Sequence, residues 1–66
     1  MKTLADGLQI EITRNQELIV AYTKMGPAGA LGAATIKADL AEATKVILEN
    51  DIVGMLRIYQ TLKANQ

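Results

Sequence analysis

The fold of this chain depends on one segment, Val46-Ile47-Leu48-Glu49-Asn50-Asp51-Ile52-Val53-Gly54-Met55-Leu56. At about 100° per residue on a helix, the apolar positions before Glu49 centre on one direction and those after Asp51 centre roughly 100–120° away. One straight helix would therefore present two different apolar faces. Asn50 can end a helix in the left-handed conformation, and Asp51 is a favourable N-cap. The segment predicts a break or kink near Asn50-Asp51, followed by a helix from Ile52 to Ala64.

A continuous helix through this segment is the alternative. Its two apolar faces would then meet different neighbours, one within the chain and one in another subunit. The row before the break consists of Ile36, Leu40, Ala43 and Ile47, with Val46 beside it. The row after the break consists of Ile52, Met55, Leu56, Tyr59 and Leu62.

The preceding element ends at Gly26-Pro27, because Gly suits the position after a helix and Pro prevents its continuation. The stretch 26–34 that follows contains almost only small residues. We expect the second helix to start within this stretch and to run to about Asn50.

The first element is predicted to be a helix, although a β-hairpin is the competing interpretation. Thr3 and Asp6 are spaced as in a helix N-terminal cap. One helical face carries Leu4, Leu8, Ile12, Asn15, Ile19 and Tyr22. In the hairpin, an alternating strand around Ile10 would turn at Asn15-Gln16 into 18–20. The helix is favoured because a lone hairpin needs partner strands, and the rest of the chain offers none.

Composition excludes several classes of function. The chain has no Cys and no His, so structural zinc sites, haem attachment and iron–sulfur ligation cannot be built. A Ser–His or Cys–His nucleophile pair is excluded as well. Seven basic and seven acidic residues give a net charge of zero, which argues against binding nucleic acid mainly through phosphates. We expect no catalytic residues, no cofactor and no metal.

The length of the chain points to association with other chains. Sixty-six residues form one small domain at most, which we place at residues 1–66. Ordering them costs on the order of 100 kcal/mol, and a domain this short buries only about 60% of its unfolded surface. Half of the residues are hydrophobic, and no disulfide is available. We therefore predict an all-α helical hairpin or three-helix unit that forms a homo-oligomer, a dimer or higher.

The glycine-rich stretch is interpreted as a packing surface. Gly26, Gly29 and Gly32 recur every three residues, without the Gly-Lys-Ser/Thr ending of a phosphate-binding loop and without a dinucleotide-binding fingerprint. Small residues at this spacing allow two helices to approach closely. The predicted interface combines these small residues with the apolar stripe after the break: Gly29, Ala30, Ala33, Ile52, Met55 and Tyr59.

A resemblance to known proteins is carried by Leu18, Ala21-Tyr22, the stretch Gly26–Ala33, the stretch Asp51–Leu56 and Tyr59. In these residues the chain resembles small uncharacterised helical proteins encoded in phage and prophage gene clusters. The resemblance covers about Leu18 to Lys63. It implies a phage-related context, and it implies no mechanism.

The sequence thus predicts a small, non-catalytic interaction or assembly module that self-associates and that could also bind another protein. Asp6 interrupts any apolar leader, so a cytoplasmic protein is expected. Two alternatives belong to other classes. The uncharged character of 18–36, broken only by Lys24, suggests a membrane-active protein of the holin or toxin type. An αα turn could also serve as a helix-turn-helix in a nucleic-acid-binding regulator, provided that dimerisation clusters the scattered basic residues.

Overall fold

The structure, a computed structural model, describes residues 3–66, which form three α-helices and one short 3-10 helix. Their order is α1 (Leu4–Lys24), the 3-10 helix (Gly26–Gly29), α2 (Ala30–Leu48) and α3 (Ile52–Ala64). Met1 and Lys2, which open the segment considered above as a leader, lie outside the described residues. No strand occurs among residues 3–66. The all-α prediction is confirmed, and the first element is the predicted helix rather than the hairpin.

The N-terminus of α1 is fixed by a reciprocal capping box. The Thr3 hydroxyl accepts a hydrogen bond from the Asp6 backbone N–H at 3.1 Å, and the Asp6 carboxylate accepts one from the Thr3 N–H at 3.2 Å. These bonds satisfy donors that the first helical turn leaves without partners. At the other end of α1, Gly26 adopts a positive φ of 69° and Pro27 follows. Gly26 and Pro27 thus end α1, as the sequence predicted.

The predicted break between the second and third helices is present, and the continuous-helix alternative is wrong. Asn50 has a left-handed φ of 53°. The Asn50 and Asp51 N–H groups turn back to the carbonyls of Ile47 (3.1 Å) and Val46 (2.9 Å), which is the Schellman arrangement for ending a helix. The Asp51 carboxylate then accepts a hydrogen bond from the Gly54 N–H at 2.9 Å and starts α3.

The three helices pack around one apolar cluster, and each contacts the other two. Their short connections place successive helices antiparallel. The cluster contains Leu8 from α1, Ala43 and Val46 from α2, and Ile58 and Leu62 from α3. Half-buried side chains surround it: Ile12, Leu40, Met55 and Tyr59.

Two details of this core differ from the sequence prediction. In α2, Val46 is buried and Ile47 remains 40% exposed, because α3 packs against the flank of α2 that carries Val46. In α3, the buried side chains are Ile58 and Leu62, whereas Ile52 and Leu56, both assigned to the apolar row, are exposed. The first turns of α3 are apolar on nearly every side, so periodicity alone could not select the buried face.

A polar cluster joins the three helices where the C-terminus of α3 meets the middle of α1 and of α2. We call it the polar clasp and define it as Arg14, Asn15, Asp39 and Asn65. Asn15 is fully buried, and its amide nitrogen donates to the carbonyls of Glu11 (2.7 Å) and Leu62 (3.0 Å). The Asn65 amide nitrogen donates to the Asn15 side-chain oxygen (3.0 Å) and to the Asp39 carboxylate (3.0 Å). One buried amide thus connects α1 and α3, and Asn65 connects both to α2.

Arg14 completes the polar clasp by covering the C-terminus of α3. Its guanidinium donates to the carbonyls of Leu62 (2.6 Å) and Asn65 (2.8 Å). Its Nε donates to the Glu11 carboxylate at 2.8 Å. A cation at this position satisfies carbonyls that the last helical turn leaves free, and it complements the negative end of the helix dipole. The clasp therefore holds α3 by its end.

Replacing Asn15 tests the contribution of the polar clasp to stability. Asn15→Ala leaves a cavity and removes hydrogen-bond partners from Leu62 and Asn65, so we expect a loss of about 2–3 kcal/mol in the free energy of unfolding. Gln16→Ala, at the exposed neighbouring position, serves as the control and should cost less than about 0.5 kcal/mol. Urea unfolding followed by circular dichroism at one fixed protein concentration measures both. Equal midpoints for the two variants would contradict the assignment.

Candidate interaction surface

Five large apolar side chains lie exposed around the α2–α3 turn. We call this surface the turn patch: Ile47, Leu48, Ile52, Val53 and Leu56. Their exposed fractions range from 40% for Ile47 to 79% for Leu48. They fall within ten consecutive residues and share one end of the molecule, so they form a patch rather than scattered positions. Contiguous exposed apolar surface of this kind marks interaction sites on monomeric proteins.

The local fold explains why these side chains are not buried. The left-handed turn at Asn50 and the cap at Asp51 bring the start of α3 directly against α2. A Cβ atom on Gly54 would lie only 2.6 Å from Val46 Cγ1, which shows how closely the two helices approach. The opposite side of α3, with Val53 and Leu56, therefore faces outward. A helix that is apolar all round is normally buried on all sides. In α3, no residue among 3–66 covers the side that carries Val53 and Leu56.

A cleft adjoins the turn patch and extends its apolar surface toward α1. The cleft has a volume of about 310 Å³ and is lined by Ala5, Leu8, Gln9, Ile47, Asn50 and Met55. Ile47 belongs to both the cleft and the turn patch. The N-terminal part of α1 thus forms one wall of the same surface.

Charged residues of both signs adjoin the turn patch. Glu49 and Asp51 precede α3, and Arg57 follows the apolar residues along the helix; all three side chains are exposed. The only ion pair within residues 3–66 joins Arg14 to Glu11, far from this surface. Glu49, Asp51 and Arg57 therefore have no charged partner among the described residues.

The predicted small-residue positions lie at the α1–α2 corner, where most of them pack within the chain. Gly29 and Ala33 are buried, whereas Ala30 is exposed. A Cβ atom on Gly29 would clash with the Tyr22 carbonyl oxygen. The close helix approach that these residues were predicted to permit occurs between α1 and the start of α2.

The predicted stripe residues of α3 divide between the core and the surface. Met55 and Tyr59 are half-buried against the apolar cluster, whereas Ile52 lies in the turn patch. The predicted interface set therefore does not form one continuous surface. It omitted Leu48, Val53 and Leu56, which lie beside Ile52. The sequence signal for Val53 and Leu56 is the uninterrupted apolar start of α3, because the core has space for only some of these side chains.

Other surface features lie apart from the turn patch. Leu31 is 81% exposed beside a cleft of about 420 Å³ that includes Tyr22, Gly32 and Gln66, and the Tyr22 hydroxyl donates a hydrogen bond to the Gln66 carbonyl there. Within residues 3–66, no three metal-ligating side chains come together. None of the three helices in this part of the chain combines the length and the apolar character needed to cross a membrane.

Gly29 provides a test of the intrachain packing at the α1–α2 corner. Gly29→Ala places a methyl group against the Tyr22 backbone, so the corner must open, and we expect a cost of about 1–3 kcal/mol in the free energy of unfolding. The matched control is Gly32→Ala, whose added Cβ would meet the Tyr22 ring at 3.3 Å and should cost less. Thermal unfolding of both variants measures the difference. A Gly29→Ala protein as stable as Gly32→Ala would contradict this packing.

Comparison of the chain with protein-family models, with curated proteins and with solved structures finds no match.

Proposed function

We propose that this protein is a small, non-catalytic helical module that associates with a second copy of itself through the turn patch. The single observation that carries the proposal is the exposure of five large apolar side chains around one turn. A neutral chain carries no net electrostatic repulsion against its own copy. A cytoplasmic location and a phage-related origin, the latter implied by the resemblance, belong to the same proposal.

The amount of exposed surface supports association. The chain exposes 4542 Å², whereas a compact monomeric protein of 7.1 kDa exposes roughly 4100 Å². A standard interface covers about 800 Å² per partner, which is less than a fifth of the surface present. The turn patch and the adjoining cleft supply the apolar centre that such an interface needs.

The exposed start of α3 favours a protein contact over a DNA contact. A recognition helix presents polar and basic side chains from its N-terminal turns to the bases. The corresponding turns of α3 present Ile52 and Val53 instead. Burial of these side chains against another apolar surface would be favourable at about 25 cal/mol per Å².

The proposal also reassigns the predicted interface residues. Ile52 keeps its place at the centre of the surface. Gly29 and Ala33 support association indirectly, because they set the α1–α2 corner. Met55 lines the cleft beside the turn patch, where a side chain of the second copy would reach it.

Sedimentation equilibrium of the protein and two variants tests the proposal. We expect the unaltered chain to form a discrete dimer. The double substitution Leu48→Gln/Val53→Gln removes two apolar side chains, each worth about 1.5–3 kcal/mol when fully buried. The dissociation constant should therefore rise more than tenfold. Both positions are solvent-exposed, so the helix content by circular dichroism should not change.

The matched control is Leu31→Gln, which changes a residue that is equally exposed but lies outside the turn patch. It should leave the dissociation constant unchanged. A monomer at every concentration would refute the proposal. A Leu31→Gln variant that weakens association as much as the double variant would place the interface elsewhere.

A further inference from the structure

We infer that Asn65 and Gln66 form a strap across the groove between α1 and α2, and that this strap opens at Gln66 while Asn65 stays bound. The strap then controls the access of solvent to the cleft of about 420 Å³ beside Leu31. This conformational device lies at the C-terminal end of α3. It does not depend on self-association through the turn patch.

The groove exists because α3 is shorter than the two helices that it packs against. It has 13 residues, against 21 in α1 and 19 in α2. At about 1.5 Å per residue, α3 is about 20 Å long, whereas α1 is about 32 Å and α2 is about 29 Å long. Because α3 runs in the same direction as α1 and ends beside Asn15, no third α-helix within residues 3–66 packs against the second half of α1 and the first half of α2.

The chain continues into this groove after α3. Asn65 leaves helical geometry and adopts extended dihedral angles, with φ −70° and ψ 137°. Gln66 follows, and its carbonyl accepts a hydrogen bond from the Tyr22 hydroxyl. Tyr22 lies about 10 Å beyond Asn15 along the axis of α1. The strap therefore runs from the polar clasp toward the C-terminal end of α1.

Asn65 is the inner anchor of the strap, and several hydrogen bonds hold it. Its side-chain nitrogen donates to the Asn15 side-chain oxygen and to the Asp39 carboxylate, both at 3.0 Å. Its carbonyl accepts a hydrogen bond from the Arg14 guanidinium at 2.8 Å. Two of these three bonds involve a charged group, and such bonds are stronger than those between neutral groups. All three must break before Asn65 can leave.

The contact between Gln66 and Tyr22 is the outer anchor, and it is weaker. Gln66 is exposed, and its only hydrogen bond within residues 3–66 joins two uncharged groups. A single exposed bond of this kind competes with water and contributes little net free energy. We therefore expect the outer anchor to open often while the inner anchor stays closed.

Opening of the outer anchor changes the cleft beside Leu31. Its lining includes the Tyr22 ring together with Leu31, Ile36 and Gln66, so Gln66 forms part of the wall. The Tyr22 ring lies close to Gly32 on α2, and this contact holds the ring in the groove when Gln66 leaves. The open state thus exposes the Tyr22 ring to solvent without moving either helix.

Backbone ¹⁵N relaxation of the full chain and its variants tests the order in which the anchors open. Tyr22→Phe removes only the hydroxyl donor, so the order parameter of the Gln66 amide should fall below about 0.6, the range of flexible backbone, while that of Asn65 is retained. Asn65→Ala breaks the inner anchor and should lower the order parameters of both positions. Tyr59→Phe, at the other tyrosine of the chain, is the matched control and should change neither.

Two results of this experiment would overturn the inference. A Gln66 order parameter that Tyr22→Phe does not lower would show that the outer anchor does not hold the segment. A Tyr22→Phe protein in which Asn65 also becomes flexible would show that both residues leave together. Tyr22→Phe leaves the polar clasp unchanged, so this comparison does not require the Asn65→Ala protein to fold.

Acrylamide quenching of tyrosine fluorescence measures access to the cleft. In a Tyr59→Phe background, Tyr22 is the only tyrosine and the chain has no Trp, so the emission reports on the cleft alone. Adding Asn65→Ala releases the strap and should raise the quenching constant at least about twofold, as expected for local opening. Gln60→Ala, an exposed change on α3, is the control. Equal quenching constants in these two proteins, with their helices retained by circular dichroism, would contradict control of the cleft by the strap.

Discussion

The reversal of the chain at Asn50 and Asp51 is the constraint on which the rest of this structure depends. The left-handed residue ends α2, and the Asp51 carboxylate fixes the first residue of α3. Because α3 then runs back along α2, Ile58 and Leu62 reach the apolar cluster. The same reversal leaves the side chains on the outside of the turn without cover. Core, clasp and turn patch all follow from one helix ending.

The two ends of α3 have opposite character. At one end, the polar clasp pairs the amide of Asn15, and no buried polar side-chain atom among the described residues lacks a partner. A fully satisfied buried network of this kind rigidifies a small core and specifies its packing. At the other end, the turn patch leaves large apolar side chains in solvent. The fold thus fixes α3 firmly by its C-terminus and presents its N-terminal turns for contact.

The sequence predicted the boundaries of the structure better than its contacts. The caps at Thr3 and Asp51 and the span of α3 are local features, encoded by side chains within a few residues of the backbone groups that they satisfy. The burial of Ile58 instead of Ile52 depends on where α1 and α2 lie, which no local pattern contains. Asn15 was placed on the correct helical face, but two of its three hydrogen-bond partners are 47 and 50 residues away. For the candidate surface, Ile52 was predicted and its neighbours were not.

Association of two copies through the turn patch is the proposal on which the functional interpretation of this fold depends. The most direct measurement is a series of ¹H–¹⁵N NMR spectra recorded over a wide range of protein concentration. If two copies associate through the turn patch, the amide signals of residues 47–57 shift as the protein concentration rises, while those of Asn15 and Asn65 in the polar clasp do not shift. Spectra that do not change with concentration, or shifts centred on Leu31, would contradict it.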